Sequence, residues 1–94
     1  MAKIAVENVN TPGQSTNVDA AKYHAMHAAM MIVMSDQPLT AKAIKEAAIP
    51  LLPEDLFPGG ATSGWWQKTV QLDLEAKGKI TRHGTKPLTF SLSQ

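Results

Sequence analysis

Between Tyr23 and Met34 the apolar side chains Tyr23, Met26, Met30, Val33 and Met34 recur at spacings of three and four, with Lys22, His24 and His27 on the other faces. This is the period of an amphipathic helix. Its start is marked by Asp19, whose carboxylate can accept from free amides of the first turn, with Val18 and Tyr23 placed as a hydrophobic staple. Ser35-Asp36-Gln37-Pro38 ends it, because the residue before a proline is pushed out of the helical region. A second helix repeats the device, with Thr40 as cap, Leu39 before it and Ile44 as the staple partner. It closes at Ile49, since Pro50 lacks the amide needed to continue.

Before these helices, residues 3–9 alternate weakly, Ile4 and Val6 against Lys3, Ala5 and Glu7, as a short half-buried strand would. Thr11-Pro12-Gly13-Gln14 is a turn signal of proline then glycine. Residues 50–62 carry three prolines and two glycines and form a connection with one helical turn at Pro53-Glu54-Asp55. A third helix starts at Thr62 or Ser63 and ends at Lys77, with Gly78 as the left-handed terminator. Residues 79–83 and 88–92 then alternate with period two around Gly84-Thr85-Lys86-Pro87, which predicts a hairpin with Ile80, Leu88, Phe90 and Leu92 inward. The expected fold is mainly α with a small β-hairpin. Residues 1–18 form an N-terminal segment packing on a domain of residues 19–94.

Three helices followed by a hairpin, with Leu74 four residues before Gly78 and Ile80 two after it, resemble the end of a winged-helix domain. The strings VDAAKY, LPEDLFPGG, GWW and QLDLEAKG resemble a family of small uncharacterised bacterial proteins. The resemblance implies a winged-helix-like three-helix core with a C-terminal wing, and nucleic-acid binding as that fold's tendency. Fold does not fix function. The chain also departs from DNA-reading helix-turn-helix units, whose turn is about three or four residues; here Ile49 to Thr62 is a much longer connector.

Composition narrows the classes. An apolar fraction of 44% with 18% charge in 94 residues is that of one small globular domain. The absence of cysteine leaves neither a disulfide framework nor a thiolate metal site, and the N-terminal residues carry no export-like apolar run, so a cytoplasmic location is expected. The longest apolar run, Ala28 to Met34, is far short of the roughly 18 residues of a membrane span, so no membrane partner is expected. Net charge is +1, but it is unevenly placed: residues 76–94 hold Lys77, Lys79, Arg82 and Lys86 and no acid. A basic hairpin on an acidic body suits weak attachment to nucleic acid, and equally a solvated strand edge guarded by charge.

Two binding readings follow, neither enzymatic. In the first, double-stranded DNA is held by Lys79, Arg82 and Lys86 with the start of the third helix, Thr62 and Ser63, on phosphates. Gln67, Lys68 and Gln71 lie on that helix's polar stripe, and a glutamine amide can pair with adenine. In the second, a protein partner or a second copy of the chain covers an apolar face that includes Trp65 and Leu72, opposite the core face of Trp66, Val70 and Leu74. Gly59 and Gly64 have the spacing of a phosphate loop, but Trp65 and Trp66 replace its lysine and hydroxyl, which excludes nucleotide hydrolysis. His24 and His27 lack a third ligand nearby, so neither metal nor cofactor is expected. Asp73 sits in an apolar arc and should be buried and paired with Lys77 or Arg82.

Overall fold

The structure, a computed structural model, describes residues 2–93; Met1 and Gln94, the outer ends of the two expected segments, lie outside them. The alternation of residues 3–9 becomes strand β1 (Lys3–Glu7), which pairs antiparallel with β2 (Ser15–Asp19) in the register Ile4 to Val18 and Val6 to Thr16. Between them Gly13 adopts φ +87° and the Gln14 amide donates to the Thr11 carbonyl at 3.3 Å, the turn read from Pro-Gly. Helix α1 (Ala20–Val33) follows at once, with the Asp19 carboxylate accepting from the Ala21 amide at 3.2 Å. Helix α2 (Ala41–Ala48) is capped by the Thr40 hydroxyl, which accepts from the Ala43 amide at 3.1 Å. Both caps stand where the sequence places them.

The connector from Ile49 to Thr62 is built from short turns. One is a 3₁₀ turn at Ile49–Leu51, and a helical turn closes where the Phe57 amide donates to the Pro53 carbonyl at 2.9 Å. This delivers Phe57 into the core, edge-on to Trp66. Helix α3 (Ser63–Ala76) then runs beside α1 and α2, and Gly78, at φ +74°, ends it. Met26, Met30, Ile44, Phe57, Val70 and Leu74 are the fully buried centre where the three helices meet. Each such side chain contributes about 1.5 to 3 kcal/mol by leaving water.

After Gly78 the chain forms β4 (Ile80–His83) and β5 (Thr89–Leu92). A further strand, β3 (Leu39–Thr40), lies between α1 and α2 and pairs with β5, so the sheet order is β3-β5-β4, antiparallel throughout. The expectation of a mainly α, winged-helix-like core with only a C-terminal wing is therefore corrected. The protein is a small α/β domain of three helices and two sheets, of two and three strands, with strands at both ends. Two strands escape sequence reading for physical reasons. Ser15, Thr16 and Asn17 of β2 are all exposed, so the strand has almost no alternation to detect. β3 is two residues long, and its Thr40 doubles as the cap of α2.

Candidate functional site

Two polar networks run along α3, and they leave opposite ends of the helix surface in different states. Asp73 is completely buried. Its carboxylate accepts from the Tyr23 hydroxyl of α1, from the Glu7 amide of β1 at 2.8 Å, and from the Lys77 ammonium at 2.9 Å. Lys77, not Arg82, is thus its cation. Burial, then the hydrogen bond to Asp73 and the charge of that carboxylate, push the Tyr23 pKa well above its ordinary value.

The second network is a ladder of side chains at successive turns of α3. Gln67 Nε2 donates to Gln71 Oε1 at 2.7 Å, and Gln71 Nε2 donates to Glu75 Oε2 at 3.3 Å. Glu75 in turn accepts two bonds from the Arg82 guanidinium of β4, at 2.8 and 3.1 Å. Arg82 also lies over the ring of Phe90. Gln67 and Gln71 are only 4% and 5% exposed, so these two members of the polar stripe form a buried strut between helix and sheet, while Lys68 stays exposed.

Two clefts flank α3 and share Leu72. The larger, about 450 Å³, is walled by Gly64, Gln67, Lys68, Gln71 and Leu72 on the helix side and by Arg82, Leu88 and Phe90 on the sheet side. Those helix residues recur at intervals of three and four, so they form one continuous stripe. The smaller, about 190 Å³, lies between the β1–β2 hairpin and Trp65, Thr69 and Leu72. Trp65 is 57% exposed, while Trp66 turns into the core with its ring edge-on to Trp65 at 4.9 Å. The two hairpins therefore bracket an open strip of α3 floored by Gly64, Trp65, Lys68 and Leu72.

Of the residues singled out from the sequence, Gln67, Lys68, Gln71, Leu72 and Arg82 come together around the larger cleft, and Trp65 stands at its neighbour. Thr62 does not join them. It takes a left-handed conformation at φ +60° and its hydroxyl donates to the Ala61 carbonyl at 2.6 Å, while Ser63 is buried. Lys79 and Lys86 are exposed on the C-terminal hairpin, away from both clefts. Sequence reasoning missed Asn10, Ala41, Leu88 and Phe90 as cleft walls; Leu88, expected inward, shares Phe90's alternation but is 44% exposed because its side faces the cleft.

His24 and His27 flank Tyr23, whose ring they touch. Burial, then the neighbouring His24, hold the His27 pKa below its ordinary value. Among the described residues, no group of three or more His, Cys, Asp or Glu is placed to hold a metal ion, and no helix is long and apolar enough to cross a membrane.

Compared with known proteins, the chain matches no curated protein and no solved structure. A family model matches residues 3–90, nearly the whole length from β1 into β5, and the chain accordingly belongs to that family, described as a family of unknown function (DUF6958).

Proposed function

We propose that this protein is a non-enzymatic binding module that recognises another protein over the open strip of α3, with Trp65 as its anchor. The observation that carries the reading is the exposure of Trp65 at the wall of the smaller cleft, on a helix whose remaining large apolar residues are buried. A half-exposed indole beside concave, partly apolar walls is the arrangement that supplies most of the affinity at protein interfaces. Duplex DNA is the weaker candidate. Gln67 and Gln71 are occupied with each other, Arg82 is held by Glu75 and Lys77 by Asp73, which leaves Lys79 and Lys86 on the basic tail without ion pairs among the described residues.

The test compares two variants as bait in an extract of the cells that make the protein. Trp65→Asp is expected to lose the captured protein, and the double variant Lys79→Glu, Lys86→Glu to retain it. The reverse pattern contradicts the reading, as does binding of a labelled duplex at low salt tighter than the roughly 10⁻⁴ to 10⁻⁶ M of non-specific attachment.

A further inference from the structure

The ladder on α3 has a direction, and the direction specifies what the larger cleft can bind. An ionised carboxylate has no proton to give, so Glu75 can only accept. Gln71 must then turn its nitrogen to Glu75 and its oxygen to Gln67, and Gln67 must donate through its own nitrogen. That leaves Gln67 Oε1 at the end of the chain of bonds, with no protein donor among the described residues. Every fully buried side-chain nitrogen or oxygen among those residues has a partner, so this oxygen reaches solvent, and the cleft that Gln67 lines is where it does so. Gln67 itself is 4% exposed. A glutamine so enclosed cannot swing out to satisfy itself, and the Arg82–Glu75 pair fixes which way its amide points.

Around this acceptor, with Asn10 also in the lining, the cleft is apolar on one side and cationic on the other. Leu72, Leu88 and Phe90 supply the apolar wall. Lys68 lines the rim, and the stem of Lys45 passes 3.6 Å from where a side chain on Gly64 would begin. Neither lysine is in an ion pair among the described residues.

Resting on the protein-binding reading above, we propose that the larger cleft receives an extended peptide segment of the partner. One backbone N–H of that segment donates to Gln67 Oε1, an apolar side chain lies against Leu88 and Phe90, and an adjacent acidic residue meets Lys68 and Lys45. The phosphate backbone of duplex DNA offers acceptors alone and so cannot pair with this oxygen. An extended peptide carries a donor at every non-proline residue and projects its side chains alternately, so one residue serves the acceptor and the apolar wall together.

The experiment selects from a random heptapeptide library displayed on phage, with the full-length protein immobilised, and measures the best peptide by fluorescence anisotropy. Enrichment of an apolar residue beside Asp or Glu is expected. Gln67→Leu should weaken that peptide about tenfold, the effect of leaving one peptide N–H unpaired, and Lys68→Glu, at an exposed position, should weaken it without shifting the melting curve. Enriched peptides that bind Gln67→Leu as tightly as the parent overturn the inference, as does enrichment of basic sequences or of none. The Trp65→Asp bait comparison then decides separately whether the protein-binding reading survives.

Discussion

Asp73 and Gln67 lie on the same helix, and both side chains are almost wholly enclosed, yet their hydrogen bonding is arranged in opposite ways. Asp73 is closed: its partners come from α1, β1 and its own helix, and together they tie the N-terminal hairpin to the core. Gln67 is open: it donates to Gln71, it lines a cleft, and its oxygen has no protein donor among the described residues. A buried polar group with all its partners inside the protein is a structural fastening, because losing any partner leaves a desolvated group behind. One with a partner missing at a concave surface is open to a donor from outside, water included. On the proposed reading, the difference separates the part of α3 that holds the fold from the part that meets a partner.

The sharpest way to break this distinction is at Asp73. Asp73→Ala leaves the Tyr23 hydroxyl and the Glu7 amide without their acceptor, and is expected to destabilise by about 2 to 4 kcal/mol in urea melts. Lys77, whose side chain is 36% exposed, can turn to water and limits the loss. A neutral Asp73→Ala would mean that the fastening is not one.

Tyr23→Phe removes one bond to the same carboxylate and should cost roughly 1.5 to 3 kcal/mol, the range for hydrogen bonds to charged groups. The pH dependence has a defined sign. The Tyr23 pKa is raised in the fold above its ordinary 10.0, so its contribution is complete below pH 10.0 and is lost as pH rises from there through the raised value. Urea melts from pH 8 to pH 11 should show stability falling above about pH 10, and Tyr23→Phe should remove that fall. An identical alkaline decline in the variant would assign it elsewhere.

Smaller effects are expected on the open side. Arg82→Ala takes the cation from Glu75, whose side chain is 4% exposed against 36% for the arginine, while Gln71 stays as its donor, so a loss of about 1 to 2 kcal/mol is expected, between that of an exposed and a buried pair. Loss beyond about 2 kcal/mol, the scale of a buried pair's removal, would show that the ladder is a fastening like Asp73. Smallest of all, Trp65→Ala gives up the edge-on contact with Trp66 and should lower the unfolding free energy in urea by about 0.5 kcal/mol, the low end for such pairs, while abolishing partner capture.

The sequence made the fastenings more legible than the opening. Asp19, Thr40 and Gly78 mark helix ends through local chemistry, so their positions need no knowledge of the tertiary fold. Asp73 is conspicuous because a carboxylate among Val70, Leu74 and Ala76 has to be paired. The C-terminal hairpin and the inward faces of Ile80 and Phe90 follow from period two alone. The stripe of Gln67, Gln71 and Glu75 was misleading for the converse reason: a row of polar residues on a helix looks solvated unless the strand that covers it is known, and Arg82 reaches it from β4. Leu88 was misread because alternation gives the side of a strand, not whether that side is covered. The β1–β2 sheet was hidden in Ser15-Thr16-Asn17, which exposes every side chain, and the third strand of the C-terminal sheet in the two residues of β3.

The most direct test of a binding strip on α3 is a two-dimensional ¹H–¹⁵N titration of the labelled protein with the selected peptide, followed at the two indole N–H signals and the glutamine side-chain amides. Trp65, exposed beside the clefts, and Gln67, at the open end of the ladder, should shift in a saturable way, while the core indole of Trp66 and the signals of Lys79 and Lys86 stay in place. Saturable binding that moves Lys79 and Lys86 and leaves Trp65 and Gln67 unmoved would contradict the account.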